Sequence, residues 1–204
     1  MQDPAARYLH PSNLLTYVAV LAAFAAVLAA HRLQSWSAAG GLIALSATAD
    51  TFDGRFARLF ERSAGLKKFG GQLDSLADGL SFGLVPVVCL SLLLPLDTTP
   101  LFLAWFAAAS FYVIGAITRL GVYNLQPSPT DGFVGLPTTL AGLIWSSAFI
   151  VEPSAALCTG LLVLLGIAMV SSAAIPRPRG WVMGALVGWQ VVLLVVYGGW
   201  FVAA

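Results

Sequence analysis

Long stretches without a single charged side chain constrain this sequence more than any other feature. They occupy residues 33–49, 79–96, 98–118, 132–151, 153–176 and 180–204, and another at 11–30 also lacks histidine. Each is 17 to 25 residues long, close to the roughly 20 residues that a helix needs to cross a bilayer. Barrel strands would be about half this length, with alternating polarity. The sequence therefore predicts an all-α fold, a polytopic membrane helical bundle.

The order of these stretches predicts six core transmembrane helices within residues 10–176 and an additional C-terminal helix at 181–203. With so little of the chain outside the membrane, we expect one domain over residues 1–204. The core spans are expected at about 13–31, 37–59, 69–94, 101–121, 136–151 and 155–175, with a turn at 60–69. The last helix has two open placements, a full seventh span or a partly interfacial helix.

Small and sulfur-containing residues also give expectations about packing. Gly40 and Gly41 in the second span should let another helix approach closely. Cys89 and Cys158 fall in apolar spans and form no CxxC motif, so we interpret both as buried hydrophobic residues.

The basic residues predict the orientation of the bundle. If the N-terminus is cytosolic, nine of the ten Lys and Arg residues fall on the cytosolic side and only Arg32 on the other. The nine are Arg7, Arg55, Arg58, Arg62, Lys67, Lys68, Arg119, Arg177 and Arg179. This asymmetry is typical of cytosolic loops, so the 50–78 region is expected to face the cytosol.

Four of the nine acidic residues, Asp50, Asp53, Asp74 and Asp78, lie beside or within apolar helices. Their spacing of three and four residues places each pair on one helix face, and an intervening turn would let the pairs converge. Facing carboxylates repel unless cations lie between them, and oxygen-only ligands favour Mg²⁺, Mn²⁺ or Ca²⁺. Four carboxylates are enough to bridge two metals, as in phosphoryl displacement.

Residues between the two pairs suggest a pyrophosphate site. Gly54 removes a side chain where a bulky ligand could approach, and Arg58 offers a fork suited to a phosphate. The alternative is a polar patch at the membrane interface, in which Arg58 or Arg62 neutralises Asp53.

The segment Asp50-Thr-Phe-Asp53-Gly54-Arg-Phe-Ala57-Arg58, followed by Gly70-Gly-Gln-Leu-Asp74-Ser-Leu-Ala-Asp78, resembles the pattern of CDP-alcohol phosphotransferases. That pattern is D-x-x-D-G-x-x-A-R, a spacer, and G-x-x-x-D-x-x-x-D. The spacer here has eleven residues, 59–69, about three more than in the family. The positions of Lys67 and Lys68 therefore cannot be carried over directly from the family.

This resemblance implies a family bundle of six core helices, typically a homodimer, in a bacterial or archaeal cell membrane. It implies two divalent cations per site, Mg²⁺ or Mn²⁺, held by the four aspartates, with Asp78 also acting as the general base. The implied partners are CDP-diacylglycerol, a small alcohol and membrane lipids, and no nucleic acid. The residues implied to bind the CDP-lipid are Gly54, Ala57, Arg58 and Gly70, with Asn13 and Thr16 from a similar first-helix opening.

The acceptor alcohol is indicated by segments outside that pattern. Residues 73–86, 119–124, 132–137 and 169–172 resemble the phosphatidylserine synthase subgroup, although Val122 stands where that subgroup has a second arginine. The resemblance implies L-serine as acceptor and CMP as the leaving group. Candidates to bind the acceptor or the lipid phosphate are Arg119, Ser75, Ser81, Lys67 and Lys68.

Two alternatives remain at this point. The same chemistry could use glycerol 3-phosphate, inositol phosphate, choline or a related alcohol. More distantly, intramembrane carboxylates build cation transporters, which place charges near the bilayer midplane on broken helices, often in inverted repeats. The sequence shows no repeat, and the helices that carry the aspartates are expected to be unbroken.

Overall fold

The structure, a computed structural model, describes residues 9–125, 132–176 and 178–203, with side chains described as far as residue 200. A 3₁₀ turn at Pro11–Asn13 leads into α1 (Leu14–Leu33) and α2 (Trp36–Ala57). Next come α3 (Ala64–Asp78), a π-helical segment (Gly79–Leu84) and α4 (Val85–Leu93). The remaining helices are α5 (Thr99–Leu125), α6 (Thr138–Phe149), α7 (Ala155–Val170) and α8 (Trp181–Ala203).

This architecture confirms the predicted all-α membrane bundle. Among the described residues, four helical stretches are long and apolar enough to cross a membrane, namely Pro11–Leu33, Ala64–Leu93, Thr99–Leu125 and Trp181–Trp200, and Ala155–Val170 is a shorter apolar helix. Because α3, the π segment and α4 follow one another without a gap, the described part of the chain has six continuous helices before α8. Arg7 and Arg177, two of the residues behind the predicted orientation, lie outside the described residues.

Small residues let the helices pack closely. The buried face of α1 is a row of alanines, among them Ala19, Ala23 and Ala26, and α1 packs along α2. Ser46 of α2 donates to the carbonyl oxygen of Ala19 at 2.8 Å. The two helices therefore pack so closely that a short side chain on α2 reaches the backbone of α1, as is typical of membrane helices.

Two packing predictions are confirmed. A Cβ added at Gly40 would collide with the ring of Tyr197 on α8, and one at Gly41 would lie 3.0 Å from the Tyr197 Cβ. Cys89 and Cys158 are fully buried, each with 0% exposure. The glycines thus form the contact between α2 and α8, and the cysteines belong to the apolar core.

The predicted turn at 60–69 is wrong in its extent. α3 begins at Ala64, because the Ser63 hydroxyl caps the helix by accepting from the backbone N–H of Leu66 at 3.3 Å. Lys67 and Lys68 are therefore helical and exposed.

The third helix is continuous from Ala64 to Leu93, as expected, but it is not α-helical throughout. The π-helical segment begins at Gly79, directly after Asp78, and π-helical turns often occur at functional sites. Inside it, the carbonyl oxygen of Phe82 accepts a hydrogen bond from the Tyr112 hydroxyl at 2.7 Å. A tertiary contact from α5 thus stabilises a backbone conformation that the sequence did not predict.

A short β-ladder connects the chain before α6 to the chain after α7. Phe133 pairs with Ile175 and Val134 with Ala174 in antiparallel register. Gly135 follows with φ of 73°, a conformation that favours glycine, and its N–H donates to Ala173 O at 2.9 Å. These contacts determine where α6 begins.

Candidate active site

Four aspartates from two helices meet at one end of the bundle. Asp50 and Asp53 lie on α2, and Asp74 and Asp78 on α3. Carboxylate oxygens of Asp50, Asp74 and Asp78 all lie within 4.8 Å of one another, and the Asp53 carboxylate faces that of Asp74. The paired spacing and the short 58–63 connection bring the two acidic faces together.

Threonine hydroxyls from other helices hold three of these carboxylates. Thr139 donates to Oδ2 of Asp50 at 2.7 Å. Thr16 on α1 donates to Oδ2 of Asp53 at 2.9 Å. Asp53 thus has a neutral partner, while Arg58, one of the arginines offered to neutralise it, is exposed.

Asp78 has one occupied and one free carboxylate oxygen. Thr138 donates to its Oδ2 at 2.9 Å, whereas Oδ1 is buried and has no hydrogen-bond partner among the described residues. A buried acceptor without a partner costs free energy. Together with three all-oxygen donors within 4.8 Å, this free oxygen fits a site for a hard divalent cation.

A cavity of about 180 Å³ opens over the carboxylates. Its lining combines the acidic cluster with residues of α5, the 133–137 segment and α6. The lining residues are Asp50, Asp53, Asp74, Ser75, Asp78, Arg119, Leu120, Tyr123, Phe133, Pro137, Thr138 and Thr139.

Arg119 is the cation in this lining. It is only 7% exposed, and its Nη1 lies 3.4 Å from the Thr138 hydroxyl oxygen. The guanidinium carbon lies 5.7 Å and 5.8 Å from the ring centroids of Tyr123 and Phe133. Two aromatic faces therefore orient a charge whose Nε has no partner among the described residues.

The other predicted site residues divide into two groups. Ser75 lines the cavity and donates to Oδ1 of Asn124 at 2.9 Å. Ser81 is buried in the π segment, its hydroxyl has no partner among the described residues, and it is outside the cavity lining. Lys67 and Lys68 are exposed and also outside that lining.

The residues predicted for the CDP-lipid are outside the cavity lining and lie at the start of α1, at the end of α2 and, for Gly70, on α3. Gly54 is exposed, and a Cβ there would meet nothing within 4 Å. Ala57 is buried. A Cβ at Gly70 would lie 3.4 Å from Oδ1 of Asn13. The surface around Gly54 is therefore open, while Gly70 and Asn13 are close neighbours.

Sequence reasoning missed Thr138, Thr139, Tyr123 and Phe133. The two adjacent threonines directly after Pro137 were a usable signal, because they are polar residues at the start of an otherwise apolar helix. Nothing in the sequence indicated that Tyr123 and Phe133 would lie over the same arginine.

Comparison with known proteins gives a consistent result. The family model described as CDP-alcohol phosphatidyltransferase matches residues 9–196. A CDP-diacylglycerol–serine O-phosphatidyltransferase of Helicobacter pylori (strain J99) is 30% identical over 180 residues, covering 83% of this chain and 73% of the relative. Its namesake in Methanocaldococcus jannaschii is 29% identical over 168 residues, covering 81% and 73%. An archaetidylserine synthase of Methanothermobacter thermautotrophicus is 30% identical over 165 residues, covering 74% and 62%.

Proposed function

Because this chain belongs to the CDP-alcohol phosphatidyltransferase family, we propose that it transfers the phosphatidyl group of CDP-diacylglycerol to L-serine. The products are phosphatidylserine and CMP. The observation that carries this proposal is the unpartnered Oδ1 of Asp78, a residue that lines one cavity together with three other aspartates and one buried arginine. The names of the relatives support serine as the acceptor.

The carboxylate cluster supports binding of Mg²⁺ or Mn²⁺, with Asp50, Asp53, Asp74 and Asp78 as ligands. The donor set is all oxygen, and Asp50, Asp74 and Asp78 present oxygens within 4.8 Å of one another, close enough to share cations. When bound, the cations would stabilise the negative charge that develops on the pyrophosphate. We include two cations per site in the proposal, since four carboxylates are available.

The chain's own residues then bind and orient the substrates. Oδ1 of Asp78 accepts the proton of the serine hydroxyl, while Thr138 holds Oδ2 and keeps the carboxylate oriented. The serine oxygen forms a bond to the phosphorus that carries diacylglycerol. The bond from that phosphorus to the oxygen bridging toward CMP breaks, and CMP leaves.

Arg119 is proposed to bind the carboxylate of serine, and Ser75 lies close enough to the same cavity to contact the acceptor. The guanidinium is buried, lies beside the adjacent rings of Tyr123 and Phe133, and retains an Nε without a partner among the described residues. Gly54, Ala57, Arg58, Gly70, Asn13 and Thr16 are proposed to bind the CDP-lipid.

The charge of the cavity favours serine over the other acceptors. Glycerol 3-phosphate or inositol phosphate would need two or three basic residues near the metals, whereas Arg119 is the one Lys or Arg in the described lining. Choline is itself a cation and gains nothing from an arginine.

The archaetidylserine synthase among the relatives makes an archaeol-based CDP-lipid the second candidate donor.

The experiment that tests this function measures CMP release by the purified protein in detergent. CDP-diacylglycerol and Mn²⁺ or Mg²⁺ are supplied, and each candidate alcohol is added separately. Release that depends on L-serine is expected. Release that depends instead on another alcohol would overturn the acceptor assignment and retain the phosphatidyltransferase chemistry.

Orientation and assembly belong to the same proposal. We infer a homodimer whose site faces the cytosol of a bacterial or archaeal cell. Since Cys89 and Cys158 are both buried, a Lys68→Cys variant would carry an exposed thiol at residue 68. An impermeant thiol reagent should label it in inside-out vesicles but leave it unlabelled in intact cells.

A further inference from the structure

The last helix carries one amide side chain in a stretch that is otherwise apolar. Gln190 is the amide within residues 181–200, and it is fully buried, with 0% exposure. Its Nε2 donates a hydrogen bond to Oγ1 of Thr51 on α2 at 2.7 Å. Buried polar residues in membrane helices are costly and often mark a functional constraint.

The hydrogen bonds of Thr51 determine which end of the Gln190 amide faces α2. The Thr51 hydroxyl already donates to the carbonyl oxygen of Ala47 at 2.8 Å, so it can only accept from Gln190. The amide is therefore oriented with its NH₂ group toward α2. Its Oε1 is left buried without a partner among the described residues, a cost that stability alone does not explain.

The same region of α8 also holds α6. Trp189, next to Gln190, donates from Nε1 to the Ser147 hydroxyl oxygen at 3.0 Å. α6 begins with the threonines that hold the carboxylates, and Thr139 donates to Asp50 at 2.7 Å. α8 therefore binds both helices whose side chains meet at Asp50.

We propose that Gln190 is a positioning residue, which fixes the rotation of α2 through Thr51 and so places the neighbouring Asp50 carboxylate in the cation site. This inference rests on the proposed function. A carboxylate about 6 Å from a helix axis moves by about 1 Å when the helix rotates by about 10°. Catalytic constellations tolerate only about 0.5 Å, and loss of groups that orient metal ligands typically costs about 10–100-fold in metal affinity.

The test compares Gln190→Leu with Tyr197→Phe, a matched change on the same helix. The Tyr197 hydroxyl donates to the carbonyl oxygen of Ser146. The Tyr197 side chain packs on Gly40 and Gly41. These glycines precede Asp50 by about ten residues, which is roughly 15 Å along α2. Each variant thus loses one buried hydrogen bond of α8, but only the bond from Gln190 to Thr51 lies beside the carboxylates.

Two quantities are measured on the full-length protein in detergent. The first is the Mn²⁺ concentration that gives half-maximal thermal stabilisation, and the second is kcat and KM for serine from CMP release. For Gln190→Leu we expect the Mn²⁺ concentration to rise about tenfold and kcat to fall about as much, with KM for serine unchanged. Tyr197→Phe is expected to lower Tm and to leave both the Mn²⁺ requirement and kcat near those of the wild type.

An unchanged Mn²⁺ requirement in Gln190→Leu, or an equal change in Tyr197→Phe, would overturn the inference. If Gln190→Leu does not fold, Thr51→Val removes the same hydrogen bond from α2 and must raise the Mn²⁺ requirement. When all variants fold, the double variant should be no worse than either single variant, because both remove one interaction. The Mn²⁺ measurement needs no turnover, so it decides the inference even if the wild type releases no CMP with any alcohol.

Discussion

Thr138 donates a hydrogen bond to Oδ2 of Asp78 at 2.9 Å, although the two residues are 60 positions apart in the chain. The contact joins α6 to the end of α3, immediately before the π segment. It occupies one oxygen of the carboxylate and leaves Oδ1 free in a buried position. On Asp78, the residue proposed as the base, Oδ2 is therefore held in place by a hydrogen bond, and Oδ1 has no hydrogen-bond partner among the described residues.

Replacing Asp78 with Asn should abolish turnover while largely sparing cation-dependent binding of the CDP-lipid. The amide keeps the shape of the side chain and an oxygen that can still bind a cation, but it cannot accept the serine proton, and general base catalysis contributes about 10²–10⁴-fold. CMP release and equilibrium binding of a CDP-lipid in Mn²⁺ are measured in parallel. Full activity in Asp78→Asn would remove this residue as the base.

Replacing Thr138 with Val should lower kcat by about tenfold, because Asp78 then loses the donor that orients its carboxylate and Arg119 loses a contact. Thr138→Ser keeps the hydroxyl and should retain most of the activity. Thr159→Val is the matched control, since the Thr159 hydroxyl only bonds the carbonyl oxygen of Ala155 within α7. If Thr159→Val lowered kcat as much, the effect of Thr138 would be general rather than specific to the site.

Replacing Arg119 with Gln should raise KM for serine by about 10–100-fold, because a hydrogen bond to a charged group contributes about 1.5–3 kcal/mol. Steady-state kinetics at saturating CDP-diacylglycerol measure this effect. Arg55→Gln is the control, since Arg55 is exposed on α2. A rise in KM for CDP-diacylglycerol alone would instead assign Arg119 to the lipid phosphate.

Replacing Asp74 with Asn should stabilise the protein in EDTA and destabilise it, relative to the wild type, in Mn²⁺. Without cations, the carboxylates within 4.8 Å of one another repel, and one neutralised member relieves part of that repulsion. Thermal unfolding in detergent measures the change, about 2–4 °C for each kcal/mol in a chain of this size. A variant less stable than the wild type under both conditions would contradict the cation-site interpretation.

Replacing Gly135 with Ala should lower Tm and also reduce activity. Its φ of 73° costs a non-glycine residue about 1–3 kcal/mol, and an added Cβ would lie 2.9 Å from the carbonyl carbon of Met169. Because Gly135 lies only three residues before Thr138, the first residue of α6, the strain would also displace this threonine. Gly160→Ala, where a Cβ meets nothing within 4 Å, should leave Tm unchanged or raise it.

The sequence by itself predicted the membrane bundle, its helix order and the four carboxylates. Uncharged stretches and residue spacing are local properties, and a helix of known period places Asp50 and Asp53 on one face without further information. The contact of Gly40 and Gly41 with another helix was also predictable, because only small residues permit such an approach.

Only the tertiary structure decided which oxygens of the site are occupied. The contacts from Thr138 to Asp78 and from Gln190 to Thr51 join residues 60 and 139 positions apart, and no local pattern specifies which helices will be neighbours. The π segment likewise depends on Tyr112 from another helix. Local periodicity fixes which face a side chain occupies, whereas hydrogen bonds between helices depend on how all the helices pack.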